Sequence, residues 1–152
     1  MYSDLSLEQP FYQGDILTDS PFFIIPKDFG KKNKNIHIEE FTVMILSQTC
    51  DIQHRDFIVI APVITIEKLE KSRVVNSDQI RSLRQQKTKY WFYLPNDNNF
   101  PESYVEFTKI VSIPKKLLDK KKRIKSLSDL GRHWLAYKIS DFFGRPIDRR
   151  AE

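Results

Sequence analysis

A curled antiparallel β-sheet closed by a C-terminal helix, mainly β with helices, is the fold this sequence predicts. Three observations carry it. Val43-Met44-Ile45-Leu46-Ser47 and Phe57-Ile58-Val59-Ile60-Ala61-Pro62-Val63 are short β-branched runs bounded by polar residues or proline, the pattern of buried strands. From Tyr104 to Ile113 the chain alternates, with Val105, Phe107, Val111 and Ile113 on one face and Glu106 and Thr108 on the other. That period suits a half-buried antiparallel strand. Leu127, Leu130, Trp134, Leu135 and Phe142 recur at helical spacing, with Ser126 and Asp129 at capping-box spacing and Gly144 and Pro146 stopping the helix.

The remaining elements follow in order. A polar leader of about residues 1–9, expected to be flexible, precedes Pro10-Phe11-Tyr12-Gln13-Gly14-Asp15-Ile16-Leu17, which reads as a turn feeding a first strand. Residues 21–26 form a second apolar run, fenced by prolines that confine it to an edge or a strand end. Residues 30–35 are a turn-type loop. Ser77 is placed to cap a short helix with Ile80 and Leu83 on one side and Arg81, Arg84 and Lys87 on the other. Tyr90-Trp91-Phe92-Tyr93-Leu94-Pro95 reads as an aromatic strand, able to stack nucleobases if exposed, and residues 96–99 as a loop. No repeat or linker divides the chain, so residues 1–152 are expected to form one domain, with a tail from about 146.

Between the two buried runs lies a polar loop carrying Cys50, Asp51, His54 and Arg55. Reactive side chains where strands turn are a common layout for a site on a rigid scaffold, although turn residues and lone cysteines also serve structure alone. Cys50 and His54 suggest a thiolate–imidazole pair, with Asp51 orienting the ring and Arg55 adding positive field. Four metal ligands in paired spacings are missing, since His37 and His133 would have to arrive from afar. No Walker loop, dinucleotide glycine pattern or HExxH motif is present, and the reading assigns neither metal nor cofactor.

Composition sets the outer bounds. With 40% hydrophobic and 30% charged residues the chain is globular in type, and no apolar run approaches the roughly 20 residues that span a bilayer. A single cysteine cannot form an internal disulfide, and no secretion signal opens the sequence, so the expected compartment is cytoplasmic, with no membrane partner. The net charge of +5 is uneven. Acids concentrate in the first half, while Lys115-Lys116-Leu117-Leu118-Asp119-Lys120-Lys121-Lys122-Arg123 is densely basic. Lys120, Lys121, Lys122 and Arg123, with Arg81 and Arg84, are therefore candidate nucleic-acid contacts, and an acidic protein is the other partner such asymmetry suits.

The order of elements resembles the MazF/PemK (Kid-type) toxin family. Gln13-Gly14-Asp15-Ile16 is similar to the glycine–aspartate opening of that family's first strand. Residues 43–47 and 57–63 are similar to its second and third, and residues 105–113 with Lys115-Lys116-Leu117 to its later strand and basic segment. The resemblance implies a small SH3-like barrel, a homodimer, an antitoxin partner and metal-independent endoribonuclease activity, in which a 2′-hydroxyl attacks the adjacent phosphate. It also implies a phosphate-holding role for Thr65, offset here by about one residue. The family's arginine–proline pair before the second strand is absent; Glu39, Glu40 and Phe41 stand there, and carboxylates oppose a charge-gaining phosphodiester. Arg55 and Arg73 are the candidates to substitute. Three readings stay open: an RNA or polyanion binder of the toxin–antitoxin or defence type, a non-catalytic interaction module using the Cys50 loop, and a thiol-dependent enzyme.

Overall fold

A computed structural model describes residues 1–4, 6, 8–26, 28–30 and 35–144. In chain order the first half carries β1 (Tyr2–Ser3), β2 (Asp15–Ile24), β3 (His37–Ile45), α1 (Thr49–His54), β4 (Phe57–Thr65) and α2 (Ile66–Lys71). The second half carries α3 (Ser77–Arg84), β5 (Trp91–Leu94), β6 (Ser103–Glu106), β7 (Val111–Pro114), β8 (Arg123–Leu127) and α4 (Asp129–Phe143). All pairings are antiparallel, in the order β1-β8-β2-β3-β4-β6-β5, with β7 also beside β4. The antiparallel sheet and the terminal helix are those the sequence predicts. The sheet is open among the described residues. Side chains bridge the gap between its ends, where the Tyr2 hydroxyl donates to Pro95 O at 2.7 Å and the Tyr2 ring meets Phe100 edge-on.

The two β-branched runs pair as expected, with Val43 opposite Pro62 and Ile45 opposite Ile60. Their unbroken apolar character has a cause in the layering. Met44, Ala61 and Val63 join one buried cluster with Phe92, Val105 and Leu135, while Val43, Ile45, Ile58 and Ile60 join another with Phe11, Ile52 and Ile113. The strands are therefore covered on both faces. A third cluster seats α2 and α3 on Tyr104, Trp91 and Tyr93.

Several elements differ from the sequence expectation. Residues 1–9 are not all leader, because Tyr2 and Ser3 pair with Leu127 and Ser126. The first strand expected to end at Leu17 and the apolar run expected at 21–26 are parts of one strand, β2, joined through an extra residue between Leu17 and Ser20 where Asp19 adopts φ 45°. An aspartate tolerates that left-handed conformation, and the extra residue is a bulge. β8 pairs only Asp15, Ile16 and Leu17, so the outer half of β2 and residues 37–41 of β3 form a two-stranded ribbon beyond the sheet. Pro21 sits in that ribbon, where its missing N–H breaks no second ladder.

The single strand expected at 104–113 is two. Val63 faces Val105 and Ile60 faces Val111, so the partner side carries three extra residues, taken up by a 3-10 turn at Phe107–Lys109. Helix α3 begins one residue earlier than expected, at Ser77, capped by Asn76 in a capping box with Gln79, and it buries Ile80 and Leu83. Helix α4 is capped by Ser128, whose oxygen accepts the Gly131 N–H at 3.2 Å, because β8 pairing carries the strand through Leu127. The expected apolar stripe divides accordingly. Leu135 is buried and Phe142 packs on Phe107, whereas Leu130 (67% exposed) and Trp134 (50%) face out. Most of the loop at 30–35, and all of the tail from about 146, lie outside the described residues.

Candidate functional site

The basic segment after β7 is tied down at three points. The Lys115 N–H donates to Asp56 O at 2.7 Å, and its Nζ donates to Ile52 O at 2.8 Å. Ile52 O is one of the last-turn carbonyls that a helix leaves without an internal partner, so Lys115 closes the end of α1. Lys122 Nζ donates to Asp19 O at 2.7 Å. Arg123 Nη1 lies 2.8 Å from Asp15 Oδ2, and both side chains are buried. Its guanidinium also donates to the carbonyls of Ser6, Gln9 and Pro10, which ties these residues to the start of β8. Asp15 in turn accepts the Ser126 hydroxyl at 2.5 Å and the Tyr12 N–H at 2.9 Å. Gly14, at φ 84°, brings β8 close enough that a side-chain carbon there would lie 2.8 Å from Leu127.

These anchors frame a cavity of about 760 Å3 between α1, the segment before β2 and the basic turn. Pro10, Phe11, Ile52, Phe57 and Pro114 give it an apolar lining, and Lys115, Lys116, Lys120 and Asp56 supply its charges. The side chains of Lys116, Lys120 and Lys121 make no hydrogen bond or ion pair among the described residues. Phe57 opens β4 yet remains 61% exposed.

The residues singled out from sequence distribute unevenly around this cleft. The Cys50 loop is the helix α1, which buries Ile52 and leaves Cys50, Asp51, Gln53 and His54 exposed. Arg55 follows it, also exposed. The Cys50 thiol donates to Gln48 Oε1 at 3.9 Å, and no side-chain hydrogen bond or ion pair joins Cys50, Asp51, His54 and Arg55 among the described residues. Nucleophile and base within hydrogen-bond reach is the usual sign of an activated thiol.

Thr65 is far from this group. It stands at the other end of β4, roughly 25 Å of strand away at about 3.3 Å per residue, and its hydroxyl caps α2 by accepting the Lys68 N–H. Arg73 lies beyond α2, so Arg55 and Arg73 sit at opposite ends of β4. Arg81 pairs with Asp78 at 3.4 Å. Arg84 makes a two-pronged contact with Glu102, both bonds 2.8 Å, and Tyr93 donates to the same carboxylate at 2.6 Å. The Arg84 hydrogen bonds hold the Glu102 carboxyl below its ordinary range, with help from Tyr93.

Sequence reasoning placed Lys120, Lys121, Lys122 and Arg123 together on one surface, but Lys122 and Arg123 turn inward to Asp19 O and Asp15. It missed Lys116, Phe57 and Phe11 as lining residues; Phe57 and the lysine run are far apart in sequence, and the pairing of Phe57 with Pro114 is what brings them together. Of the aromatic strand, Phe92 is core, Trp91 packs on Tyr104, and Tyr90 meets Phe142 edge-on. Among the described residues no group of three or more His, Cys, Asp and Glu is placed to hold a metal, and no helix is long and apolar enough to cross a membrane. Comparison with known protein families and with curated proteins finds no match to this chain.

Proposed function

We propose that this protein binds RNA as a polyanion through the turn at residues 115–122, in a toxin–antitoxin or defence setting of the MazF/PemK kind, without cutting it. The supporting observation is the division within the basic run. Lys115, Lys122 and Arg123 anchor the turn to the body, while Lys116, Lys120 and Lys121 stay exposed and unpaired among the described residues. Anchored backbone with free cations is the arrangement that holds phosphates at low ordering cost. Binding without cleavage follows from the residues that stand where the resemblance would put the cleavage chemistry. The extra negative charge of a reacting phosphodiester needs a cation beside it, and the stretch before the second strand of the resemblance offers Glu39 and Glu40. Thr65 Oγ1 is engaged as a helix cap.

Fluorescence anisotropy with a labelled RNA tests the reading. Affinity should fall with salt, with a log–log slope near 0.7 per phosphate contacted, and K116Q/K120Q/K121Q together should flatten it by about 2. The RNA should run at full length on a denaturing gel afterwards. An unchanged slope in the triple variant would reassign the turn to solvated surface.

A protein-interaction module is the second reading, supported by a different observation. Leu130, Trp134 and Tyr137 are spaced along one side of α4 and all exposed, and Trp and Tyr are the usual anchors of interfaces. A second copy or an acidic antitoxin is the partner it implies. Light scattering giving one monomer mass at all concentrations would remove the homodimer.

A further inference from the structure

The cleft beneath the lysines has a chemistry that phosphate binding alone does not require. A phosphate track needs cations and a groove; this cleft of about 760 Å3 adds an apolar lining, built from Phe11, Phe57 and Pro114 among others. Its size falls in the range of sites that enclose a small organic group, roughly 300–1,000 Å3. Phe57 is the informative residue. It opens a central strand opposite Pro114, yet its ring is 61% exposed and lines the cavity instead of joining the core cluster below it. The charges around it are Lys115, Lys116 and Lys120 against the single carboxylate of Asp56, a cationic surround for an apolar slot.

We infer that this cleft receives one unpaired nucleobase stacked on Phe57 while Lys116 and Lys120 hold the flanking phosphates, so that the ligand class is single-stranded RNA. The inference rests on the polyanion reading and adds a selection against duplex. In a duplex the bases stack on one another and present only their edges, leaving no free face for Phe57. In a single strand a base can leave the stack and offer its whole face to an aromatic ring, a contact that every base provides. The site therefore discriminates strandedness and not sequence. Its geometry is held from both sides, by Arg123 on the Ser6, Gln9 and Pro10 carbonyls and by Lys115 on the end of α1.

The test compares a labelled eight-nucleotide RNA with the same strand annealed to its complement, at several salt concentrations. The single strand should bind the wild-type protein at least tenfold tighter than the duplex. Phe57→Ala should weaken single-strand binding on the order of tenfold and bring it to the duplex level, with the salt slope unchanged. Phe57→Trp keeps a ring, should keep the preference, and should show indole fluorescence quenched by the single strand. Phe57 lies on the surface, so a urea midpoint unchanged in both variants confirms that folding is intact. Equal binding of single strand and duplex, or Phe57→Ala without effect while the salt slope persists, would overturn the inference and leave the lysine turn standing. No salt-dependent binding to either RNA would remove the polyanion reading and this inference together.

Discussion

Arg123 and Asp15 form an ion pair of 2.8 Å that is shut away from solvent on both sides. One residue follows three exposed or half-exposed lysines, and the other opens the first long strand. Because β2 and β8 run antiparallel, with Asp15 opposite Ser126 and Leu17 opposite Arg123, the pair reaches diagonally across their ladder. The same guanidinium also holds Ser6, Gln9 and Pro10 through their carbonyls.

Breaking this pair from one side should therefore be severe. Asp15→Ala leaves a buried guanidinium without its counter-ion and the Ser126 hydroxyl without its acceptor. A loss of about 3–5 kcal/mol is expected. Urea unfolding followed by circular dichroism measures it, and a change below 1 kcal/mol would mean that water reaches the site. Lys120→Gln, a few residues away but exposed, should stay within about 0.5 kcal/mol of wild type.

Cys50 invites the opposite expectation. Its thiol is exposed and pairs with no base among the described residues. Cys50→Ala should alter stability by no more than about 0.5 kcal/mol, as surface substitutions do. A thiol reagent should modify Cys50 in the folded protein, and the modified protein should bind RNA like the unmodified one. Loss of all function on Cys50→Ser, at unchanged melting temperature, would restore the nucleophile.

Alkaline pH should weaken the fold through two tyrosines. Burial, with the Glu106 charge, pushes Tyr104 up to about 12, and burial with the Glu102 hydrogen bond pushes Tyr93 up to about 12. The unfolded chain ionises near pH 10, so it releases protons that the native state keeps. This stabilisation is complete below pH 10 and is lost as pH rises through about 12. Tyr104 alone accounts for roughly 2–3 kcal/mol of that loss, at 1.36 kcal/mol per pH unit. Urea midpoints at pH 9 and 11.5 should differ, and Tyr104→Phe should shrink the difference.

The central strands were legible in the sequence because burial on both faces writes itself as an unbroken apolar run, which needs no partner to be recognised. Helix α4 was legible in extent but not in orientation. Leu127 continues a strand through pairing with Tyr2, a contact 125 residues away in the chain, and that moves the cap from Ser126 to Ser128. The six-residue helices α1 and α2 escaped because neither is long enough to show a period. For α2 a signal existed in Thr65, with Glu67 and Lys71 four apart. The candidate site was half legible. The lysine run was evident, but which of its members turn inward depends on Asp15, Asp19 O and Ile52 O, none of them near in sequence. The cleft itself required the fold.

The ribbon made by the outer half of β2 and residues 37–41 has a consequence for how this protein coexists with copies of itself. A free strand edge carrying Phe22, Phe23 and Ile24 is a template on which identical chains can add rung by rung into a fibril. Three features of the ribbon oppose that growth. Pro21 offers no donor to an incoming strand, Glu39 and Glu40 would stack charge on charge with each added copy, and the Asp19 bulge twists the edge out of the flat geometry that stacking needs. Protection against such growth would thus fall to residues outside the core, one of which, Asp19, also anchors the lysine turn through its carbonyl.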